Sequence, residues 1–200
     1  MTAQAQRGRP RDERLDKLIL EAAFQELAVL GPERFSMRAV ARRAGVARAS
    51  LQLRWVDADS LMIEALQAAT GSLELKDTGT LAGDLKVAVK DIAANMNSPG
   101  LELMMRVVAD GESRPTALHQ LQLRILEPSR AALTTVFVRA AERGELRSDI
   151  DTDWLAELII GGIFMRTSEH PQLKPPRTAD LAKLARLVSR LASTTINSRD

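Results

Sequence analysis

The sequence predicts an all-α protein of about nine helices. Strand signals are nearly absent, because the chain has no Tyr, its aromatic content is 3%, and no stretch alternates apolar and polar residues with period two. Apolar residues instead recur at intervals of three and four positions along most of the chain, which is the spacing of one helix face. The 200 residues, 45% of them hydrophobic, are enough to bury a core in one domain or in two small ones.

The first three helices follow from apolar spacing and from capping residues. An apolar stripe over 15–27 predicts a long helix that ends at the Gly-Pro pair of residues 31–32. Ser36 is a typical N-cap for a short helix over 37–44. A second short helix is expected over about 47–54, so the two short helices should form a hairpin.

The remaining helices are separated by polar or proline-containing segments. The segment 71–83 is the least periodic and most polar part of the middle of the chain, and we interpret it as a connection. Pro128 should kink or divide the longest predicted helix, because proline cannot donate a backbone hydrogen bond. The last predicted helix has apolar residues with 3-4-3 spacing, which is typical of a helix that packs on other helices. Helices are predicted at about 61–70, 81–96, 101–110, 115–142, 151–170 and 179–193.

The helical hairpin is the segment that points to a function. Gly45 lies between its two helices and allows the positive φ that a tight turn needs. The second helix has the size of one that enters the DNA major groove, where Arg pairs with guanine and Gln with adenine. We therefore interpret the hairpin as a helix-turn-helix, although an ordinary hairpin with a solvated arginine face is the alternative. Its shared core is expected from Val40, Ala44, Val46 and Leu51.

The charge distribution favours the DNA-binding interpretation. Residues 1–54 hold 11 Lys/Arg and 6 Asp/Glu, a balance of +5, whereas residues 55–200 hold 17 and 20, a balance of −3. Six arginines and no acidic residue lie between Arg34 and Arg54. A segment of one sign beside a nearly neutral remainder indicates a polyanion-binding module attached to a second unit.

Residues 9–66 resemble the DNA-binding domain of the TetR family of bacterial transcriptional regulators. The resemblance is carried by GPERFSMRAVARRAGVARASLQLRWVDADSL over residues 31–61. The positions that agree with the family pattern are Ser36, Val40, Ala41, Ala44, Gly45, Val46, Ser50, Leu51, Trp55, Asp57 and Leu61. This many agreements at fixed spacing make a specific signal.

Three positions depart from the family pattern. Gln52 replaces the usual Tyr of the recognition helix, and Ala58 replaces the Lys that opens the next helix. In the family, these Tyr and Lys positions usually contact operator phosphates. Ala47 replaces the usual Ser or Thr cap of the recognition helix. The resemblance therefore implies the loss of two backbone anchors per subunit.

The resemblance also implies the organisation and the function. Residues 1–60 would form the helix-turn-helix domain with a basic N-terminal arm, and residues 61–200 a helical domain for effector binding and dimerisation. Residues 140–151 (AAERGELRSDID) are similar to a turn of one subgroup of TetR C-terminal domains. The implied protein is a cytoplasmic, homodimeric, ligand-released repressor that binds a (pseudo)palindromic operator. A constitutive or architectural DNA-binding protein without an effector, and a helical enzyme or carrier, are the alternatives.

The predicted DNA contacts come from the arm and from the two short helices. The sequence RGRPR over 7–11 resembles an AT-hook core and suits a narrow minor groove, with a nonspecific basic tail as the alternative. Arg48 and Gln52 are expected to reach bases. The candidate DNA-binding residues are Arg9, Arg11, Ser36, Arg38, Arg48, Ala49, Ser50, Gln52, Leu53 and Arg54.

The body contains far more helix than DNA binding requires, so we expect an effector site in it. Apolar and flexible side chains in its central segments indicate a small hydrophobic or amphipathic effector. The alternative is that these side chains fill a closed core. The candidate ligand-binding residues are Met104, Met105, Arg106, His119, Leu123, Phe137, Phe164 and Met165.

The two C-terminal helices are expected to pair with their symmetry mates in a four-helix bundle, as in similar family members. The motivating observations are two adjacent glycines in one helix and the 3-4-3 seam of the other. The alternative is that both helices close the core of their own subunit. The candidate interface residues are Trp154, Leu158, Gly161, Gly162, Leu184, Val188 and Leu191.

Composition excludes several other classes. The chain has no Cys, which removes disulfides, thiolate metal sites and a cysteine nucleophile. His119 and His170 are too far apart in sequence to suggest a metal site or a catalytic triad, so we expect no metal, no cofactor and no enzyme activity. No apolar run reaches the roughly 20 residues that span a bilayer, so we expect no membrane partner.

Overall fold

The computed structural model describes residues 12–70, 73, 75–96, 99–168 and 176–193. The chain over these residues is all-α, as predicted, with one isolated β-bridge between Leu146 and Ser193. A π-helical segment, Gln122–Leu126, joins α7 to α8 without a break, so that these three pieces form one long rod. The helices are α1 Glu13–Arg34, α2 Met37–Ala44, α3 Arg48–Gln52, α4 Ala58–Thr70, α5 Leu81–Met96, α6 Pro99–Ala109, α7 Pro115–Leu121, α8 Glu127–Glu142, α9 Thr152–Ser168 and α10 Thr178–Ala192.

The first helix breaks at the Gly-Pro pair where the sequence predicted its end, and it then continues for one turn. The Asp12 carboxylate caps α1 by accepting a hydrogen bond from the backbone N–H of Arg14 at 3.1 Å. Helical geometry breaks at Gly31, whose φ is 74°, and one further turn then runs from Pro32 to Arg34. The positive φ explains why a glycine stands at this position.

The π-helical segment is the structural consequence of Pro128. Proline removes one donor from the helix, and its ring crowds the carbonyl four residues earlier, which belongs to Arg124. The wider π turn over Gln122–Leu126 lies at this point of the rod. The predicted helix over 115–142 is therefore divided, as expected, but it is not interrupted by a loop.

The helices bury two apolar clusters. The first cluster joins α1–α4 to α6, α7 and the π-helical segment, and the second joins α5, α8, α9 and α10. The predicted domain boundary between residues 60 and 61 falls inside α4, which packs on both α1 and α7. The first cluster therefore continues from the helix-turn-helix into the body, while the division into two functional domains stays a prediction.

Polar contacts of Arg114 reinforce this junction. Its guanidinium lies 2.5 Å from the Asp59 carboxylate at the start of α4, and it donates a hydrogen bond to the Phe35 carbonyl at 3.0 Å. Nearby, the Gln120 side chain donates to the Ser60 hydroxyl at 3.3 Å. The rod that begins with α7 is thus tied to the loop before α2 and to α4.

A second polar cluster is built by the turn over 140–151. Arg143 donates to the buried carboxylate of Asp84 at 3.0 Å, and the Thr78 hydroxyl donates to the same carboxylate at 2.7 Å. Burial would raise the pKa of Asp84, but the hydrogen bonds from Thr78 and Arg143 outweigh burial and lower it. Glu145 caps α5 by accepting from the Leu81 backbone N–H at 2.7 Å. Arg143 of the 140–151 turn therefore stabilises the fold.

Candidate nucleic-acid interface and ligand cavity

Local geometry confirms that α2 and α3 form a helix-turn-helix. The Ser36 hydroxyl caps α2 by accepting from the Ala39 backbone N–H at 3.2 Å. Gly45 ends α2 in the left-handed conformation, with φ 68° and ψ 29°. The Val46 N–H then donates to the Ala41 carbonyl at 3.0 Å, so that the turn folds back on α2.

The apolar faces of α2 and α3 hold the recognition helix in place. Val40 and Leu51 are fully buried, and Ala44 and Val46 pack against them, as the spacing predicted. Trp55, directly after α3, is also buried, with 2% of its surface exposed. Since α3 has only five residues, its position depends on these contacts more than on its own backbone hydrogen bonds.

The outer face of α3 presents residues of the predicted DNA-contacting set. Arg48, Ala49 and Gln52 are exposed, and Ser50 is half-buried. Leu53 follows α3 with 85% of its surface exposed. These residues form one continuous surface that a major groove can receive.

Two exposed arginines lie beside this surface. In the part of the chain that the structure describes, neither Arg38 nor Arg48 forms an ion pair, and both are exposed. They line an open groove with Gln52 and Asp57, whose carboxylate caps α4 by accepting from the Ser60 backbone N–H at 2.7 Å. Unpaired guanidinium groups at the rim of a groove are suited to phosphate oxygens and to guanine edges.

The structure corrects the expectation that Arg54 is displayed on α3. Its Nε lies 2.5 Å from the Asp16 carboxylate of α1, and its Nη1 donates to the Ser50 carbonyl at 2.9 Å. Only 15% of its side chain is exposed. Arg43 is likewise paired with the buried Glu26. Both arginines brace the helix-turn-helix against α1.

Arg9 and Arg11 of the predicted arm lie outside the described residues.

A cavity of about 280 Å³ lies in the body at the contact of six elements. Of the eight predicted ligand-binding residues, Met104 lines it. Phe137 is fully buried in the second cluster, which places it in the core, as the alternative interpretation held. The cavity is lined by Thr70, Leu73, Ile92, Asn95, Leu101, Met104, Ile125, Leu126, Ser129, Arg130 and Ile160.

The other candidates point away from this cavity. Phe164 is half-buried on α9 outside the cavity wall, and the rest are exposed on the surface. The reason is the rotation of each helix about its axis, which tertiary packing sets and which a list of apolar residues does not reveal. The exposed candidates are Met105, Arg106, His119, Leu123 and Met165.

The predicted interface residues divide into an outer and an inner set. Trp154, Leu158 and Leu191 are at least half exposed, and they mark an apolar surface on α9 and α10. Val188 is buried within its own subunit, with 2% exposed. A side chain at Gly162 would meet Leu184 of the same chain at 3.7 Å. A side chain at Gly161, the remaining candidate, would meet nothing within 4 Å.

Apart from Met104, the residues of the cavity wall were not predicted from the sequence, and neither were the Arg114 contacts. Pro128 was the available signal for the cavity, because the π-helical turn beside it contributes Ile125 and Leu126 to the wall. No local signal pointed to Arg114, whose partners Asp59 and Phe35 are 55 and 79 positions away.

Comparison with known families decides the identity. Residues 19–65 match the family described as bacterial regulatory proteins, tetR family, and residues 75–188 match the tetracyclin repressor-like C-terminal domain. The chain belongs to the TetR family. It is therefore a DNA-binding transcriptional regulator, and TetR-family proteins are in general not enzymes.

Individual TetR-family relatives agree with this assignment. The uncharacterized HTH-type transcriptional regulator YdeS of Bacillus subtilis (strain 168) is 28% identical over 164 residues, which are 82% of this chain and 83% of YdeS. The DNA-binding transcriptional repressor TetR of Mycobacteroides abscessus is 27% identical over 143 residues, 70% of this chain and 75% of that protein. The solved structure of the flavonoid-responsive regulator FrrA has the same fold, with a TM-score of 0.72 at 16% identity over 92% of this chain and 99% of FrrA.

No helix in the described part of this TetR-family chain is long and apolar enough to cross a membrane.

Proposed function

We propose that this TetR-family regulator is a homodimeric repressor that a small molecule releases from a (pseudo)palindromic operator in the cytoplasm. The observation that carries the DNA-binding part is the exposed surface of α3, where Arg48 and Gln52 lie beside Arg38, which forms no ion pair with the residues that the structure describes. The repressor assignment is supported by the similar repressor of Mycobacteroides abscessus. The ligand-released assignment is supported by the fold shared with a flavonoid-responsive regulator.

The apolar surface of α9 and α10 supports the dimer. Trp154, Leu158, Leu187 and Leu191 are between 50% and 64% exposed. Large apolar side chains on one surface are typical of an interface. A twofold axis through this surface would give two recognition helices, and a spacing of about 34–36 Å would match one turn of DNA.

Release is supported by two elements that touch both the cavity and the DNA-binding unit. The last residue of α4, Thr70, lines the cavity, and the first turn of α4 carries Asp59, the partner of Arg114. The rod that begins with α7 continues into the π-helical segment of the cavity wall. A ligand that shifts α4 or the rod would therefore move the base of the helix-turn-helix, and it would weaken DNA binding by its differential affinity for the two states.

The operator experiment is selection of bound sequences from random duplex DNA by the full chain. We expect a (pseudo)palindromic site with half-sites about 10 base pairs apart. Arg48→Ala and Gln52→Ala should each weaken operator binding by about 1–3 kcal/mol and relax preference at one position. Arg186→Ala removes an exposed arginine of α10 and serves as the matched control. Wild-type binding by both α3 variants would contradict the assignment of the recognition helix.

The assembly experiment is sedimentation at micromolar concentration. The variant Trp154→Glu/Leu158→Glu places two charges on the proposed interface and should be monomeric. Leu123→Glu changes another exposed leucine, in the π-helical segment, and should leave the dimer intact. A dimeric double variant would exclude this surface as the interface.

A further inference from the structure

The polar side chains in the cavity wall determine which ligand it can accept. Seven of the eleven wall residues are aliphatic or methionine, so most of a ligand must be apolar. The polar wall residues are Thr70, Asn95, Ser129 and Arg130.

The two hydroxyl groups of the wall already donate to the protein. The Thr70 hydroxyl donates to the Leu66 carbonyl at 3.0 Å, and the Ser129 hydroxyl donates to the Ile125 carbonyl at 2.7 Å. Each hydroxyl has one hydrogen, so neither has a donor left for a ligand anion.

The charge of Arg130 is also compensated. Its guanidinium lies 2.6 Å from the Glu127 carboxylate and 3.0 Å from the Asp153 carboxylate. Both carboxylates belong to residues outside the cavity wall, and their side chains are more than half exposed, so they act on a ligand through Arg130. An anionic ligand would meet an arginine whose guanidinium is already paired with two carboxylates, and it would lose hydration without gaining an unpaired cation.

Asn95 is the polar wall group that remains available. Its side chain is half-buried on α5 and has no hydrogen-bond partner among the residues that the structure describes. A carboxamide offers both a donor and an acceptor, so it can pair with a hydroxyl, a carbonyl or an N–H group. It carries no charge and cannot neutralise one.

We propose that the cavity binds an uncharged, mainly apolar small molecule whose single polar group forms a hydrogen bond with Asn95. The inference rests on the proposed function, in which this cavity is the effector site. The volume of about 280 Å³ is near the lower end of ordinary ligand pockets, so the molecule is compact.

The test uses two fluorescent probes that share one apolar body. N-phenyl-1-naphthylamine is neutral and carries one N–H group, and 1-anilinonaphthalene-8-sulfonate is the same molecule with an added sulfonate. We expect the neutral probe to bind the full chain at least about tenfold more tightly than the sulfonate. Equal or tighter binding of the sulfonate, or no binding of either probe, would overturn the proposal.

The two carboxylates that pair with Arg130 are tested by a double variant. In Glu127→Gln/Asp153→Asn, the guanidinium of Arg130 loses both carboxylate partners. The sulfonate probe should then gain at least about tenfold in affinity, while the neutral probe should bind as before. An unchanged ratio between the two probes would show that these carboxylates do not set the charge preference, which contradicts the proposal.

Three further variants locate the neutral probe. Ile160→Trp fills the cavity and should abolish binding, whereas Leu123→Trp alters an exposed leucine outside the wall and should not. Asn95→Leu keeps the side-chain size and should weaken binding several-fold, which keeps the proposal testable if Ile160→Trp does not fold. Full affinity in Asn95→Leu would contradict the assigned hydrogen bond.

Operator release is measured separately, by fluorescence anisotropy of labelled operator. A neutral ligand that occupies the cavity without releasing DNA would contradict the proposed ligand-released function but would support the inferred ligand class. Release of DNA by a charged ligand that binds in the cavity would support the proposed ligand-released function but would contradict the inferred ligand class.

Discussion

The DNA-facing surface and the body of this regulator use arginine in opposite ways. Arg38 and Arg48 are exposed on α2 and α3 without an ion pair in the described part of the chain. Arg130 and Arg143 each contact at least two carboxylates and connect different helices or loops. The difference teaches that an arginine is available to DNA only where the fold brings no carboxylate against it, because a neighbouring carboxylate otherwise takes its donors. An acid-free run of sequence is not sufficient, since Arg43 and Arg54 lie in that run and pair with acids of α1.

The largest expected effect comes from placing one acidic residue beside Arg48 on the DNA-facing surface. Gln52→Glu puts a carboxylate four residues after Arg48 on the same exposed face of the recognition surface. Operator affinity should fall by about a hundredfold, because the new charge pairs with Arg48 and also faces DNA phosphates. Fluorescence anisotropy with operator DNA measures the change.

Gln52→Ala is the matched control for that variant. It removes the same amide without adding charge, so its loss should be smaller than that of Gln52→Glu. Equal losses of operator affinity in the two variants would contradict the view that Arg48 must lack a carboxylate partner in order to bind DNA.

Removing a paired arginine should affect stability and leave the recognition surface intact. Arg143→Ala leaves the buried carboxylate of Asp84 without its cation, and we expect the melting temperature to fall by about 5 °C or more. Differential scanning calorimetry measures this shift. Arg147→Ala is the control, because Arg147 pairs with the exposed Asp149; a similar fall in both variants would contradict the role of the buried carboxylate.

The same cluster should make stability depend on pH. The pKa of Asp84 is lowered in the folded state, so its carboxylate stabilises the fold above the pKa of the unfolded chain, and this contribution is lost as pH falls through the folded pKa. Urea unfolding from about pH 7 to about pH 3 should show a steeper loss in wild type than in Asp84→Asn. Parallel curves for the two proteins would exclude Asp84 as a source of acid sensitivity.

The smallest expected effect concerns Arg38, which we expect to contact phosphate and not bases. Arg38→Ala should weaken binding of all DNA sequences alike and reduce the slope of log affinity against log salt by about one unit. Titration at several salt concentrations measures the slope. Arg54→Ala should leave the slope unchanged, since Arg54 already pairs with Asp16. A reduced slope in Arg54→Ala and an unchanged slope in Arg38→Ala would show that Arg54, and not Arg38, contacts phosphate.

Much of the DNA-binding unit could be predicted because its signals are local. Ser36 caps the helix that it precedes, and Gly45 adopts the positive φ that its turn requires. The acid-free run around Arg48 is itself a property of the sequence. These features depend on neighbours within a few residues, where the geometry of the chain leaves few choices.

The sequence by itself determined which segments are helical, where α2 turns into α3, and which segment carries arginines without acidic residues among them. Tertiary structure alone decided which side chains meet. It directed Arg54 to Asp16, buried Phe137 in the core, turned Gly162 toward Leu184 and assembled the cavity from six elements. The physical reason is that apolar periodicity marks the inner face of a helix, whereas the contacts on that face depend on how distant helices rotate and cross when they pack.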